Sequence, residues 1–317
     1  MFAIDVDNVS RTFNHNGTVV TALDGVDLSV SVGECVALLG KNGAGKTTLT
    51  KILATLLLPS SGSARIMGKD VATHPEHARA ATSAVFGGDR GFYPMLSGRE
   101  NLRYHAALAG LAGTNARSRI AEAVQAVGLE LAQDRPVEQY SKGMKQRLHI
   151  AAGMLKQAPV MLLDEPTVGL DPVEAQRLRE SVAASVQSGT TVLLTSHNLH
   201  DVEALAHRVV LLDDGVIRMT GSVADFRALA GFTAVVTATV PEASKSELAG
   251  IKQPVDVTLV EHGHVHINVK LPDWGAESVA IISQVHSIPG VLEVAVRSAT
   301  LDESFAAFFA QKNEEAS

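Results

Sequence analysis

The 317-residue chain has a single cysteine, Cys35, so no disulfide can form within it. Cys35 lies inside an apolar run and reads as a core residue of a reducing compartment. No apolar stretch approaches the ~18–20 residues that a membrane-spanning helix needs. The first residues alternate apolar and acidic types, without the basic-then-apolar order of a secretion signal, so none is expected. There is no long basic run and the net charge is −7, which argues against a nucleic-acid-binding surface. Together these absences predict a soluble, cytosolic protein that reaches a membrane only through a partner. What remains is 46% hydrophobic and 19% charged residues, enough for one large domain plus a small one.

The chain is organised around GKNGAGKTT: Gly40, Lys41, Asn42, Gly43, Ala44, Gly45, Lys46, Thr47 and Thr48. It follows the apolar run Val36-Ala37-Leu38-Leu39 and leads into Leu49, Ile52 and Leu53 at helical spacing. A strand, a glycine-rich turn and a helix N-terminus in that order match the phosphate-loop pattern. Glycines let successive N–H groups point inward as an anion nest, and the helix start adds partial positive charge. Lys46 offers a point charge to the outer phosphates, and the Thr47 hydroxyl can ligate Mg²⁺.

Before the loop, the residues from Phe2 to Val6 and from Val19 to Val30 read as strands joined by an Asn16-Gly17 hairpin. Phe13, in a polar setting, either stacks on an adenine ring or is buried under that hairpin. Residues 90–156 read as a helical insertion: a Ser97–Glu100 capping box starts one helix, Ile120, Val124 and Val127 mark a second, and Leu148, Ala151 and Leu155 a third. Val160-Met161-Leu162-Leu163 and Thr191-Val192-Leu193-Leu194-Thr195 are short apolar runs, read as parallel strands buried on both faces. Asp214-Gly215 closes a further hairpin. A composition shift near Gly231 divides the chain into an α/β domain over 1–230 and a small α+β domain over 231–317. The latter is patterned as strand 232–240, helix 242–250, strands 255–261 and 264–271, helix 276–287, strand 291–297 and helix 301–311. That order is the ferredoxin-like, split βαβ arrangement. His262, His264 and His266 surround a hairpin turn and read as solvated rather than metal-binding, because no second ligand cluster accompanies them.

Four more elements follow the phosphate loop in fixed order. Tyr140-Ser141-Lys142-Gly143-Met144-Lys145-Gln146-Arg147 opens the third helix, Asp164-Glu165 ends an apolar strand, Val168-Gly169-Leu170-Asp171 follows, and His197 ends the next strand. Over about residues 2–225 the chain resembles the ATP-binding subunits of ABC transporters, and within them the ABC-2-type exporters. The resemblance implies a P-loop NTPase fold with an antiparallel β edge, a parallel core sheet and a helical subdomain. It implies an ATP hydrolase that uses ATP and Mg²⁺, dimerises as a homodimer or heterodimer, and drives a membrane-embedded permease from the cytoplasmic face. The alternative is a soluble ATPase of the same class acting on a ribosomal or nucleic-acid partner, which usually carries two phosphate loops.

Asp164, at a strand's C-terminal end, suits Mg²⁺, and Glu165 suits a general base on the attacking water. Ser141, Lys142 and Gly143 lie at a helix start, which suits a phosphate. The resemblance makes them contacts to the γ-phosphate held by the other subunit, places Asp171 at the dimer seam and makes His197 the γ-phosphate switch. Lys142 stands where many members have glycine, and reads either as a solvated side chain or as a cation near that phosphate. Gly88 stands where the family usually has a metal-sensing glutamine. Coupling to a permease then runs through the backbone there, or through Asp89.

Overall fold

The computed structural model describes residues 1–15, 18–86, 91–260 and 263–306. The Asn16-Gly17 turn, Gly88, Asp89, His262 and the end of the last expected helix lie outside the described residues. The chain forms two compact units, Met1–Gly221 and Ser222–Ser317.

In the first unit, β1 (Phe2–His15) and β2 (Thr18–Ser31) form a long antiparallel ribbon. Then come β3 (Cys35–Leu39), α1 (Lys46–Leu53), β4 (Ser61–Ile66), β5 (Lys69–Asp70), α2 (Pro75–Ala81) and β6 (Thr82–Phe86). Strands β4 and β5 complete a four-stranded antiparallel sheet of order β2-β1-β4-β5.

Three helices follow: α3 (Gly98–Leu108), α4 (Gly113–Ala126) and α5 (Lys142–Met154). Their starts are dictated locally. The Ser97 hydroxyl accepts Glu100 N–H while the Glu100 carboxylate accepts Ser97 N–H, a reciprocal capping box, and Ser141 caps α5 by accepting Met144 N–H. Leu102, Ala106, Ile120, Val124, Leu148 and Ala151 bury into one shared cluster, as their helical spacing requires.

The core sheet is completed by β7 (Val160–Asp164), α6 (Pro172–Gln187), β8 (Thr191–Thr195), α7 (Leu199–Leu205), β9 (Arg208–Asp213) and β10 (Val216–Gly221). Its order is β10-β9-β3-β8-β7-β6, with β10 antiparallel at the edge and the rest parallel. All residues of β3, β7 and β8 are buried, which explains their unbroken apolar sequences. Leu38 pairs with Thr195, and Thr195 with Asp164, so three strand C-termini end side by side.

The second unit contains α8 (Val223–Ala228), β11 (Ala234–Pro241), a 3₁₀ helix (Glu242–Gly250), β12 (Val255–Val260), β13 (His264–Leu271), α9 (Ala276–His286), β14 (Glu293–Ser298) and a helical stretch over 301–306. The sheet is antiparallel, of order β12-β13-β11-β14. Where the sequence predicts a helix over 242–250, the backbone takes the tighter 3₁₀ form. Among its described side chains only Ser244 and Leu248 are buried, too few to make an apolar face for a regular helix. Short α8 belongs with this unit because fully buried Phe226 stacks on Phe305 at 6.0 Å and Ser304 donates to the Arg227 carbonyl.

Candidate active site

The loop between β3 and α1 is shaped by glycines that have no room for a side chain. At Gly40 a Cβ would lie 2.1 Å from the Leu212 carbonyl oxygen, and at Gly45 2.4 Å from that of Ala22. Gly45 also takes a left-handed backbone, φ 108°, as it enters α1. The result is a shallow cleft of about 180 Å³ walled by residues 42–48 and Glu165. Lys46 is buried beneath it. Its ammonium donates to the carbonyls of Gly40 at 2.7 Å and Lys41 at 3.2 Å, and lies 3.8 Å from Glu165 Oε1. A buried cation held mainly by neutral carbonyls is suited to receive phosphate oxygens.

Beside the loop, Thr47 donates its hydroxyl to Asp164 at 2.9 Å, and Thr195 donates to the same carboxylate at 2.6 Å. Hydroxyl and carboxylate oxygens converge here, the hard donors that Mg²⁺ prefers, so the residues present fit that ion. Thr195 joins Asp164 and Glu165 here, although no sequence motif marks it. Its signal was its place at the end of an apolar strand, directly before Ser196-His197.

Glu165 has φ 52°, a left-handed conformation uncommon outside glycine. It is held there by Thr195, whose carbonyl and hydroxyl both accept the Glu165 N–H, at 3.0 and 3.1 Å. The turn aims the carboxylate at the cleft and at His197. Oε2 of Glu165 lies 2.7 Å from His197 Nδ1 and accepts the His197 backbone N–H at 3.1 Å. Lys46, Thr47, Asp164, Glu165 and His197 are thereby brought together from three segments.

Other predicted residues are not among those that wall this cleft. Phe13 is not among the residues walling it; the Arg11 guanidinium sits over its ring at 4.7 Å. Ser141 and Asp171 cap α5 and α6, Asp171 by accepting Glu174 N–H at 2.9 Å. Gly143 packs on Glu174, where a Cβ would meet Glu174 Cγ at 2.9 Å. Glu174 is anchored in turn by Arg147, 2.7 Å away, whose guanidinium also donates to the carbonyls of Val127 and Gly128. The Lys142 ammonium reaches over Gly169, filling the space where a Cβ would stand. The exposed lysine therefore lies along the turn that ends in Asp171. Among the described residues no group of three or more His, Cys, Asp or Glu could hold a metal ion; His266 Nδ1 instead lies 3.1 Å from the Thr239 hydroxyl.

Two sheets, a helical insertion and a phosphate loop facing an Asp-Glu strand end and a histidine define an ATP-binding cassette. The family model "ABC transporter" matches residues 23–168. The chain is 39% identical over 229 residues to the daunorubicin/doxorubicin resistance ATP-binding protein DrrA of Streptomyces peucetius, covering 72% of this chain and 68% of that protein. It is 33% identical over 323 residues to the daunorubicin resistance ATP-binding protein DrrA3 of Streptomyces coeruleorubidus, covering 96% and 94%, so that match spans both units. In fold it resembles the ATP-binding cassette MJ0796, solved as a dimer in a post-hydrolysis state, with a TM-score of 0.63 and 24% identity over 69% of this chain and 98% of that one. The chain belongs to the ABC transporter family, as an ATP-binding and ATP-hydrolysing subunit.

Proposed function

We propose that this chain energises an exporter of drug-like compounds, docked on the cytoplasmic face of the membrane to a permease. Among the described residues no helix is long and apolar enough to cross a membrane, so the conduit would be supplied by that partner. The names of the DrrA relatives support the substrate class. The observation that carries the reading is the meeting of Lys46, Asp164, Glu165 and His197 at one cleft.

In this reading residues 40–48 hold the ATP phosphates and Lys46 neutralises the outer ones. Thr47 and Asp164 hold Mg²⁺, which supplies charge neutralisation to the phosphate oxygens when bound. Glu165 takes a proton from the attacking water as its oxygen bonds to the γ-phosphorus. The bond from γ-phosphorus to the bridging oxygen breaks, and ADP leaves with that electron pair. His197 orients the Glu165 carboxylate and faces the departing phosphate. Phe13 stacks on the adenine.

Ser141 caps α5, Lys142 and Gly143 pack on Gly169 and Glu174, Asp171 caps α6, and none of the four walls its own cleft. That supports a second chain, identical or a paralogue, whose ATP they would contact head to tail. The second unit serves as an accessory domain that stabilises or regulates the dimer. The test is co-expression with candidate six-helix membrane subunits, followed by ATP-driven drug uptake into inside-out vesicles. ATPase activity without any copurifying permease or transport would defeat the exporter reading.

A further inference from the structure

The two residues flanking the Glu165–His197 contact are anchored to one buried carboxylate. Thr167, two residues beyond Glu165, donates its hydroxyl to Asp201 Oδ2. Ser196, immediately before His197, donates to the same oxygen at 3.1 Å. The other oxygen, Oδ1, accepts from Arg179 Nη1 of α6 at 2.9 Å. Asp201, on the first turn of α7, is fully buried, and Thr167 and Ser196 are buried with it.

Burying a carboxylate is unfavourable unless a cation and hydrogen bonds satisfy it, and here both oxygens are satisfied from three separate segments. Two of those segments end at the reacting groups. A glutamate in the left-handed region persists only when its surroundings over-determine it. On one side of Glu165 that role falls to Thr195. On the other, Pro166 has no N–H to offer, and Thr167 is the next side chain that can be anchored.

We infer that Asp201 is a positioning residue for hydrolysis: through Thr167 and Ser196 it sets the distance between the Glu165 carboxylate and the His197 ring. Its hydrogen-bond partners Thr167, Ser196 and Arg179 belong neither to the phosphate loop nor to the Asp164 carboxylate's own contacts. Thr167 also leads directly into residues 168–171, so a shift of that turn on dimer closure would reach Glu165 and His197 together. The inference rests on Glu165 being the base.

The test compares Thr167→Val, which removes the hydroxyl at nearly constant shape, with Thr167→Ser, which keeps it, and with Asp201→Asn. Each full-length variant is assayed for ATPase kcat, for affinity toward a fluorescent ATP analogue without Mg²⁺, and for its thermal unfolding midpoint. Displacing a reacting group by a fraction of an ångström costs roughly tenfold or more in rate, so kcat should fall by about that factor in Thr167→Val and Asp201→Asn. Nucleotide affinity should stay within about twofold, and Thr167→Ser should restore most of kcat, since the anchoring hydrogen bond returns. Wild-type kcat in Thr167→Val overturns the inference. So does a joint fall of kcat, affinity and unfolding midpoint, or a Thr167→Ser variant as slow as Thr167→Val. If Asp201→Asn does not fold, the pair of Thr167 variants decides. Glu165→Gln run alongside separates the two readings: its turnover would remove the base assignment, whereas its inactivity with a fast Thr167→Val removes only the positioning role.

Discussion

Glu165 and His197 meet at 2.7 Å across the ends of neighbouring strands, and the same carboxylate oxygen also accepts the His197 backbone N–H. The histidine is thus bound to the acid at two points, by its ring and by its main chain. In a pair held this way the carboxylate cannot turn toward solvent without giving up both contacts at once.

Glu165→Gln is the direct test of the base. The amide keeps the shape but cannot take the proton, so turnover should fall by about 10²–10⁴ while nucleotide binding persists. Steady-state phosphate release together with equilibrium binding of labelled ATP measures both. Unchanged hydrolysis would place the base elsewhere.

Gly143→Ala should destabilise the first unit. The new methyl would lie 2.9–3.1 Å from three carbons of Glu174, and Glu174 cannot swing aside without giving up Arg147. Overpacking of this kind costs about 1–3 kcal/mol, read as a lowered denaturation midpoint in nucleotide-free protein. If the midpoint is unchanged, Glu174 yields more freely than its ion pair implies.

The second unit should lose stability in acid through Glu303. Arg297 donates to both of its oxygens, and that pairing holds the carboxyl down at about 2 from an ordinary 4.5. Because the folded value lies below the unfolded one, the unfolded chain binds the extra proton. The contribution is complete above 4.5 and is lost as pH falls toward 2. Melting curves between pH 7 and pH 3 should show it, and Glu303→Gln should lessen the slope. An identical slope in that variant would assign the acid sensitivity to other carboxylates.

Cys35 should be chemically silent. It is fully buried, and desolvation pushes its thiol up to about 12, so almost no thiolate exists at pH 8. A maleimide should label the chain only in denaturant; rapid labelling of native protein would mean that β3 opens readily.

Much of the cassette was legible because its signals are local. The all-buried strands β3, β7 and β8 are short apolar runs, and the Ser97, Ser141 and Asp171 caps sit where side chain and backbone lie three residues apart. Lys46, Thr47, Asp164 and Glu165 could be named because loop and strand end are each contiguous motifs. Thr195, Thr167 and Asp201 could not. Their partners are 31 and 34 residues away, and a lone threonine or aspartate carries no spacing that marks it. The sequence leaves two readings of Lys142 for the same reason: only the folded turn brings Gly169 beneath its ammonium. The helix over 242–250 is legible in its bounds, but weak apolar periodicity does not distinguish its 3₁₀ form from the α form.

By itself, then, the sequence determined that a phosphate loop exists, which residues end the strands, and where the helices begin. Those depend on periodicity and on contacts within a few residues. Tertiary structure decided what the loop faces. Parallel pairing of β3, β8 and β7 sets Leu38, Thr195 and Asp164 in register, and that register alone carries Glu165 and His197 to one cleft beside Lys46. Which strands become neighbours depends on burying every face of the sheet at once, a property of the whole unit that no short stretch contains.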